Sequence, residues 1–177
     1  GSIERPLVFG NNDTPGVMLS SAAKEYLKVY GVLVGKKPLI FTNNDSGYET
    51  AIEFKKNGVD PIILDTRKEP KSEIIDEAKK LDIQIKFSYV VVAAKGYKKV
   101  KSAEVAKISD DKNELGTLET IDCDCICVSG FWTPTIHLAS QSGNKTKFNK
   151  DIDAFVPGLS KQNETTLGAA NGTFTLE

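Results

Sequence analysis

The residues best placed for chemistry lie in a polar turn at positions 42–47 and, further along the chain, at Asp65. A dinucleotide-binding turn has the pattern G-x-G-x-x-G, and an acidic residue about 20 positions later accepts a hydrogen bond from the ribose 2′-hydroxyl. Thr42 and Asn44 stand at the first two glycine positions, Gly47 at the third, and Asp65 at the acidic position. The spacing therefore indicates a dinucleotide-type turn that lacks two of its glycines.

These replacements bear directly on the ligand. The second glycine normally lets the backbone approach a pyrophosphate, and the side chain of Asn44 occupies part of that space. We therefore favour a turn that keeps its shape and has lost its ligand, with NAD binding as the alternative. If a dinucleotide binds, Asp65 favours NAD, because its carboxylate would repel the 2′-phosphate of NADP, although Arg67 acts in the opposite direction.

A strand–helix–strand unit must position the turn. Residues 39–41 and 62–64 are short apolar runs, which are typical of strands buried on both faces. Between them, Ala51, Ile52 and Phe54 give a helix its inner face. A helix that joins two strands in this way makes them parallel, through a right-handed crossover.

The surrounding pattern extends this unit. Helical spacing predicts helices over residues 22–30 and 73–81, and apolar–polar alternation predicts a strand over 83–87. A strand is also expected at residues 7–9.

The rhythm then changes to strands without helices. Residues 89–95, 100–109 and 118–122 are strand-like, which indicates an antiparallel meander, and residues 121–128 lead back to a buried strand. The predicted fold is therefore α/β, a Rossmann-like three-layer lobe with a parallel sheet and a three-stranded antiparallel β-meander.

Further candidate ligand contacts follow from this fold. Ligands of open parallel sheets lie at the carboxyl ends of the strands, and Gly130 follows one such end. Trp132 is expected in a loop at the same edge, as a rim aromatic that covers the sheet end, with a position over a ligand ring as the alternative. A stretch of small residues near the end of the chain could bring backbone amides close to a phosphate; it comprises Gly168, Ala169, Ala170, Asn171 and Gly172.

Composition argues against several function classes. The 177 residues carry a net charge of −1, so nothing suggests a nucleic-acid or membrane partner, and no apolar run is long enough to span a membrane. No acid–base pair, activated nucleophile or metal-ligand cluster is apparent, and His137 is the only histidine.

The three cysteines are interpreted as structural. Cys123, Cys125 and Cys127 alternate along an expected strand, so all three should lie on one buried face as small apolar residues. Free thiols indicate a reducing compartment, and we expect a cytoplasmic protein.

Several stretches together resemble one family. They include Phe41-Thr-Asn-Asn-Asp-Ser-Gly-Tyr48, Val128-Ser-Gly-Phe-Trp-Thr-Pro134 and Ala154-Phe-Val-Pro-Gly158, with residues 4–19, 121–124, 138–143 and 168–172. The chain resembles a middle portion of the α subunit of heterotetrameric sarcosine oxidase. More widely, it is similar to the two-lobed flavoprotein disulfide reductases, in which a nicotinamide-nucleotide lobe is inserted into a flavin lobe.

The resemblance implies an activity that belongs to a larger complex. That complex oxidises sarcosine to glycine with peroxide formation and passes the methyl carbon to tetrahydrofolate. The α subunit carries NAD, mainly in a first lobe that would precede this chain, whereas FAD and FMN belong to other parts of the complex. The implied partners are the remainder of the α subunit and the β, γ and δ subunits.

The resemblance also implies domain boundaries. Residues 3–21 would belong to the preceding dinucleotide lobe, 22–135 would form the inserted NAD(P)-binding-type lobe, and 136–175 would return to the first lobe. Residues 1–2 are interpreted as a cloning scar and 176–177 as tag residues. On this interpretation residues 168–172 contact the nucleotide of the first lobe, and the isolated chain is inactive.

Two other functions remain open. The chain could be an independent NAD-binding module that uses Thr42, Asn44, Gly47 and Asp65, or part of the α subunit of a related amine or imino-acid dehydrogenase. Thiol–disulfide exchange is not expected, because disulfide reductases place a C-x-x-C pair shortly before the equivalent of residues 36–42, and residues 17–35 contain no cysteine.

Overall fold

The computed structural model describes residues 1–109 and 114–174, in two compact units. The larger unit is Pro6–Phe131, and the smaller combines Gly1–Arg5 with Trp132–Glu177. In chain order the strands and helices are β1 (Ser2–Glu4), β2 (Val17–Leu19), α1 (Ser20–Tyr30), β3 (Pro38–Thr42), α2 (Ser46–Lys56), β4 (Ile62–Asp65), α3 (Glu73–Lys80), β5 (Gln84–Phe87), β6 (Tyr89–Gly96), β7 (Val100–Lys107), β8 (Glu119–Asp122), β9 (Cys125–Ser129), β10 (Trp132–Pro134), α4 (His137–Gln141), β11 (Thr146–Asn149) and β12 (Ala154–Pro157).

A five-stranded parallel sheet forms the centre of the larger unit, with strand order β2-β9-β3-β4-β5. From β3 the chain moves outward in one direction through β4 and β5, and later returns to the other side of β3 as β9. The order therefore reverses between β3 and β9. In open α/β sheets, the crevice at the carboxyl end of such a switch point is where ligands bind.

Helices cover one face of this sheet. The side chains of Ile40, Ile63, Cys125 and Cys127 point to this face and form one core with residues of α1, α2 and α3. Alternate residues of the same strands point to the other face, as the two-residue period of a strand requires.

The meander covers the opposite face. Strands β6, β7 and β8 pair antiparallel, and Val91, Ala103 and Val105 pack against Leu39 and Phe41 of the sheet. Helices, parallel sheet and meander make three layers, so the predicted fold class is confirmed. The expected three-strand meander is present, but β6 ends one residue later than predicted, β7 ends two residues earlier, and β8 begins one residue later.

The smaller unit contains two two-stranded ribbons. β1 pairs antiparallel with β10, and β11 pairs antiparallel with β12, where the rings of Phe148 and Phe155 meet edge to face with centroids 5.2 Å apart. Arg5 donates to the carbonyl oxygens of Ile152 and Asp153. A 3₁₀ turn, Gly168–Asn171, follows.

Two expectations for the first residues and for Trp132 were wrong. Residues 7–9 do not form a strand; instead Val8 is exposed, Phe9 packs edge to face on Phe41, and Gly10 pairs with the meander through its backbone. The strands of this region are β1 and β2, and β2 extends the parallel sheet. Trp132 lies in strand β10 rather than in a loop.

The single-face arrangement expected for the cysteines was also wrong. The extended strand is interrupted at Cys123 and Asp124, between β8 and β9. At this break in the strand the Asp124 carboxylate accepts hydrogen bonds from the backbone amides of Lys36 and Lys37 at 2.9 and 2.8 Å. The break places Cys123 in the meander-side core, whereas Cys125 and Cys127 lie on the helix side.

Among the described residues, no helix is both long enough and apolar enough to cross a membrane. The same part of the chain contains no group of three or more His, Cys, Asp or Glu residues arranged to hold a metal ion.

Candidate functional site

The carboxyl edge of the parallel sheet brings together the residues that the sequence singled out in the larger unit. Thr42 ends β3 and pairs in register with Ser129 on one side and with Asp65 on the other. The polar turn follows Thr42 and leads into α2, while Gly130 follows Ser129 and is buried. This edge lies at the switch point and is the candidate site.

Thr42 closes the start of the turn. Its side chain is fully buried, and its Oγ1 donates to the carbonyl oxygen of Asn44 at 2.8 Å and accepts from the Asn44 amide at 3.1 Å. The hydroxyl therefore binds the backbone of a residue that, in a glycine-rich turn, would face the pyrophosphate.

Asn44 spans the crevice between β3 and β9. Its Nδ2 donates to the carbonyl oxygen of Ser129 at 3.1 Å and to Ser129 Oγ at 3.2 Å. Its Oδ1 accepts from the backbone amide of Ser46, the first residue of α2, at 2.9 Å. Only 6% of Asn44 is exposed. Its side chain therefore occupies the space that the second glycine of a G-x-G-x-x-G turn leaves open.

Gly47 lets α2 approach β3 closely. A Cβ atom at this position would lie 2.7 Å from Cβ and 2.8 Å from Oγ1 of Thr42, well inside van der Waals contact. The third glycine of the pattern is thus retained because the helix packs directly on the strand.

The Asp65 carboxylate is surrounded by donors from the protein itself. Tyr48 donates its hydroxyl proton to Asp65 Oδ2 at 2.7 Å, and Arg67 donates through its backbone amide, Nε and Nη2 at 2.8–3.2 Å. Asp65 and Tyr48 are completely buried. The carboxylate that would bind a ribose is therefore engaged by two neighbouring side chains.

Arg67 contacts both the end of β4, at Asp65, and the start of α2, at Asp45. Its Nη2 also lies 2.8 Å from Oδ1 of Asp45, at the start of α2. Burial opposes the charge of Arg67, but hydrogen bonds to Asp65 and Asp45 outweigh it and raise the pKa of the guanidinium. The pKa of Tyr48 is raised as well, by burial and then by its hydrogen bond to Asp65.

Sequence reasoning missed the roles of Tyr48 and Asp45 in this site, and treated Arg67 only as a neighbour of the 2′-phosphate. It placed Ser129 at a strand end on this edge but did not foresee its hydrogen bond to Asn44. The proximity of Arg67 to Asp65 in sequence was a usable signal. Nothing in the local sequence pairs Tyr48 with Asp65 or Asn44 with Ser129, because these contacts depend on which strands are neighbours.

The small-residue stretch belongs to the smaller unit. Gly168 and Gly172 have left-handed backbones, with φ values of 64° and 84°. A Cβ atom at Gly172 would lie 2.9 Å from the side chain of Ile152 and 3.0 Å from that of Val156 in β12. Gly172 therefore packs closely against both side chains. Ala170 lines a cavity of 460 Å³ with His137 and Glu164, and Asn171 lines an adjacent one of 260 Å³.

The cysteines show no sign of a reactive site. All three cysteines are buried and form no disulfide. Burial, with lesser contributions from Cys125, Asp124 and Asp122, raises the pKa of Cys123 to about 12. A thiol held in its neutral form is a poor nucleophile. The sulfur atoms of Cys125 and Cys127 lie 3.3 Å apart in the helix-side core.

The known proteins with similar sequences are α subunits of sarcosine oxidases. The chain is 39% identical over 181 residues to a sarcosine oxidase subunit alpha of Rhizobium meliloti strain 1021, and 34% identical over 176 residues to that of Corynebacterium sp. strain P-1. Each alignment covers 98% of this chain but only 16% and 18% of the relative. The resemblance seen in the sequence is confirmed, and the chain spans less than a fifth of the length of these relatives. No family model matches it.

Similar solved structures support the fold. The thioredoxin reductase of T. acidophilum superposes with a TM-score of 0.65 at 17% identity, covering 83% of this chain and 47% of that one. The bacillithiol disulfide reductase Bdr of Staphylococcus aureus gives 0.63 at 16% identity, covering 91% and 47%. At such identities the likeness concerns the fold alone, that of a lobe of the disulfide-reductase type.

Proposed function

Since the chain is homologous over nearly its whole length to one segment of sarcosine oxidase α subunits, we propose that it serves as that segment in such a subunit. The complete enzyme would oxidise sarcosine to glycine with peroxide formation and pass the methyl carbon to tetrahydrofolate. Within it, this chain supplies a structural lobe, and the catalytic groups lie elsewhere in the assembly.

The observation that carries the structural role is the occupied crevice at the switch point. Asn44 bridges the two strands by binding Ser129, and Asp65 is engaged by Tyr48 and Arg67. A dinucleotide would have to displace these bonds between buried partners before making its own. Since a buried polar group left without a partner costs about 1–3 kcal/mol, this exchange opposes binding.

The favourable terms that remain are small. The amino terminus of α2 would attract an anion by about 1 kcal/mol, and Gly47 keeps the helix close to the strand. Ordering a large flexible ligand costs several times as much. The residues present therefore do not fit a tightly bound dinucleotide, and we expect a Kd for NAD of roughly millimolar or weaker.

In the proposed subunit, NAD belongs to another lobe, and FAD, FMN and tetrahydrofolate belong to other parts of the complex. The return segment, including Gly168–Asn171 and Gly172, would contact the nucleotide of that other lobe. The partners are the remainder of the α subunit and the β, γ and δ subunits. Support for these assignments comes from the resemblance of the whole chain to the α subunits.

Titration with NAD tests the role of the turn. We expect the backbone amide signals of residues 43–47 to move little and without saturation at submillimolar NAD. The variant that restores both glycines, Thr42→Gly with Asn44→Gly, should bind more tightly than the natural sequence if these side chains block the site. Saturating shifts at micromolar NAD in the unaltered chain would favour the independent NAD-binding module instead.

A further inference from the structure

A group of lysines lies at the amino-terminal edge of the parallel sheet, at the opposite end of the strands from Thr42. Lys36 and Lys37 immediately precede β3, Lys98 and Lys99 lie in the turn between β6 and β7, and Lys101 is the second residue of β7. All five are exposed. We refer to these five residues as the lysine edge.

Backbone contacts hold the two halves of the lysine edge beside each other. The amide of Cys123 donates to the carbonyl oxygen of Lys101, and the amide of the next residue, Asp124, donates to that of Lys37, each at 3.2 Å. The Asp124 carboxylate in turn accepts from the amides of Lys36 and Lys37. Two consecutive residues thus fix the loop before β3 next to the start of β7.

Neighbouring acidic groups neutralise little of this charge. Asp124 is engaged with backbone amides, and Glu104 forms an ion pair with Lys95, 2.9 Å apart. Asp122, in register with Ser102, is a further carboxylate near this edge, and Asp13 lies two residues before Pro15, whose carbonyl oxygen accepts from the Val100 amide. Within the described part of the chain, the side chains of the lysine edge form no ion pair.

Exposed apolar side chains accompany the charge. Tyr97 at the tip of the β6–β7 turn is 92% exposed, and Val32 and Leu33 in the loop before β3 are 48% and 44% exposed. Tyrosine is enriched in protein interfaces, whereas lysine is depleted there and contributes mainly electrostatic steering and specificity.

Other anionic partners fit less well. The lysine edge contains no arginine, the residue that binds phosphate through two parallel hydrogen bonds. The whole chain has a net charge of −1, so a long polyanion that extended beyond the lysine edge would meet repulsion. Lysine binds carboxylate and phosphate alike as a point charge, so the net negative charge of the chain is what favours a short acidic segment over a long polyanion.

We propose that the lysine edge, with Tyr97, Val32 and Leu33, is a docking surface for an acidic segment of another protein. This surface is separate from the nucleotide-type turn, and its role does not depend on the function proposed for the whole chain. Association should be fast and should weaken as salt is added, because exposed charges are screened over about 8 Å at physiological ionic strength.

A fluorescent decaglutamate peptide is the probe, with binding to the full chain followed by anisotropy at low and at high salt. The test variants are Lys36→Glu with Lys37→Glu, and Lys98→Glu with Lys99→Glu. The matched control is Lys71→Glu with Lys80→Glu, because both lysines are exposed and the change in net charge is identical. We expect a roughly tenfold loss of affinity in each test variant and less than about a twofold change in the control.

Three results would overturn the proposal. Equal losses in the test and control variants would show that only net charge matters. Binding no stronger than that of a glycine–serine peptide of the same length would remove the docking surface. Tighter binding to single-stranded RNA or to phosphatidylserine vesicles than to the peptide would assign the lysine edge to another class of partner.

Discussion

The side-chain amide of Asn44 donates to the carbonyl oxygen of Ser129 at 3.1 Å, joining two residues 85 positions apart in the sequence. The bond crosses the sheet where its strand order reverses, so it occupies the place at which related folds bind ligands. A side chain that replaces a glycine here closes the crevice and ties β3 to β9. In the structural role proposed above, the same residue opposes ligand binding and holds the two strands together.

Gly47→Ala should destabilise the protein by about 1–3 kcal/mol, as other overpacking substitutions do. The added methyl group would lie 2.7 Å from Cβ of Thr42, so α2 must move away from β3. Urea unfolding monitored by circular dichroism measures the loss. Glu49→Ala on the exposed side of the same helix is the control, and removing its surface ion pair with Lys24 should cost less than about 1 kcal/mol. Equal stability of Gly47→Ala and the natural protein would contradict the close packing.

Tyr48→Phe should cost about 2 kcal/mol, because it removes a buried donor from the Asp65 carboxylate. Tyr89→Phe is a matched control, since Tyr89 also donates to a carboxylate, that of Glu119, at 2.7 Å, but near the surface. Thermal and urea unfolding of both variants should show a clearly larger loss for Tyr48→Phe. Similar losses in the two variants would mean that burial of the Tyr48–Asp65 pair contributes little.

Stability should fall as the pH rises from about 9 towards 12, in part because of Cys123. Its pKa is raised from 9.0 to about 12, chiefly by burial, so in this window the unfolded chain loses the thiol proton while the folded chain retains it. The stabilising contribution is therefore complete below pH 9 and declines above it. The raised pKa of Tyr48 acts in the same direction at still higher pH.

Urea unfolding at neutral pH and at about pH 10.5 measures this slope. Cys123→Ala should make the stability less dependent on pH. Val105→Ala, which also removes volume from the meander-side core, should lower stability at both pH values without changing the slope. The prediction fails if the two variants have the same dependence on pH.

The three thiols should react with a disulfide reagent only after the larger unit opens. Cys123, Cys125 and Cys127 are at most 2% exposed, and a thiolate must form before the sulfur attacks. We expect negligible modification of the native protein within minutes and complete modification in guanidinium chloride. Rapid reaction of even one thiol under native conditions would show that its side of the sheet opens readily.

The sequence by itself determined the type and order of most elements in the larger unit. Buried strands such as β3 and β4 and amphipathic helices such as α2 have periodicities that are visible over a few residues, since burial is a local requirement. The strand–helix–strand order then required parallel strands, because the helix carries the chain back to the end of the sheet at which the first strand began. The absence of helical spacing after β5 likewise required a meander.

Tertiary structure decided which side chains meet at the switch point and which face each cysteine occupies. Ser129 is a partner for Asn44 only because β9 returns beside β3, and Tyr48 reaches Asp65 only because Gly47 brings α2 close to the strand. Cys123 left the face of Cys125 because Asp124 binds the amides of a distant loop. Such pairings join residues far apart in the chain, so local periodicity contains no record of them.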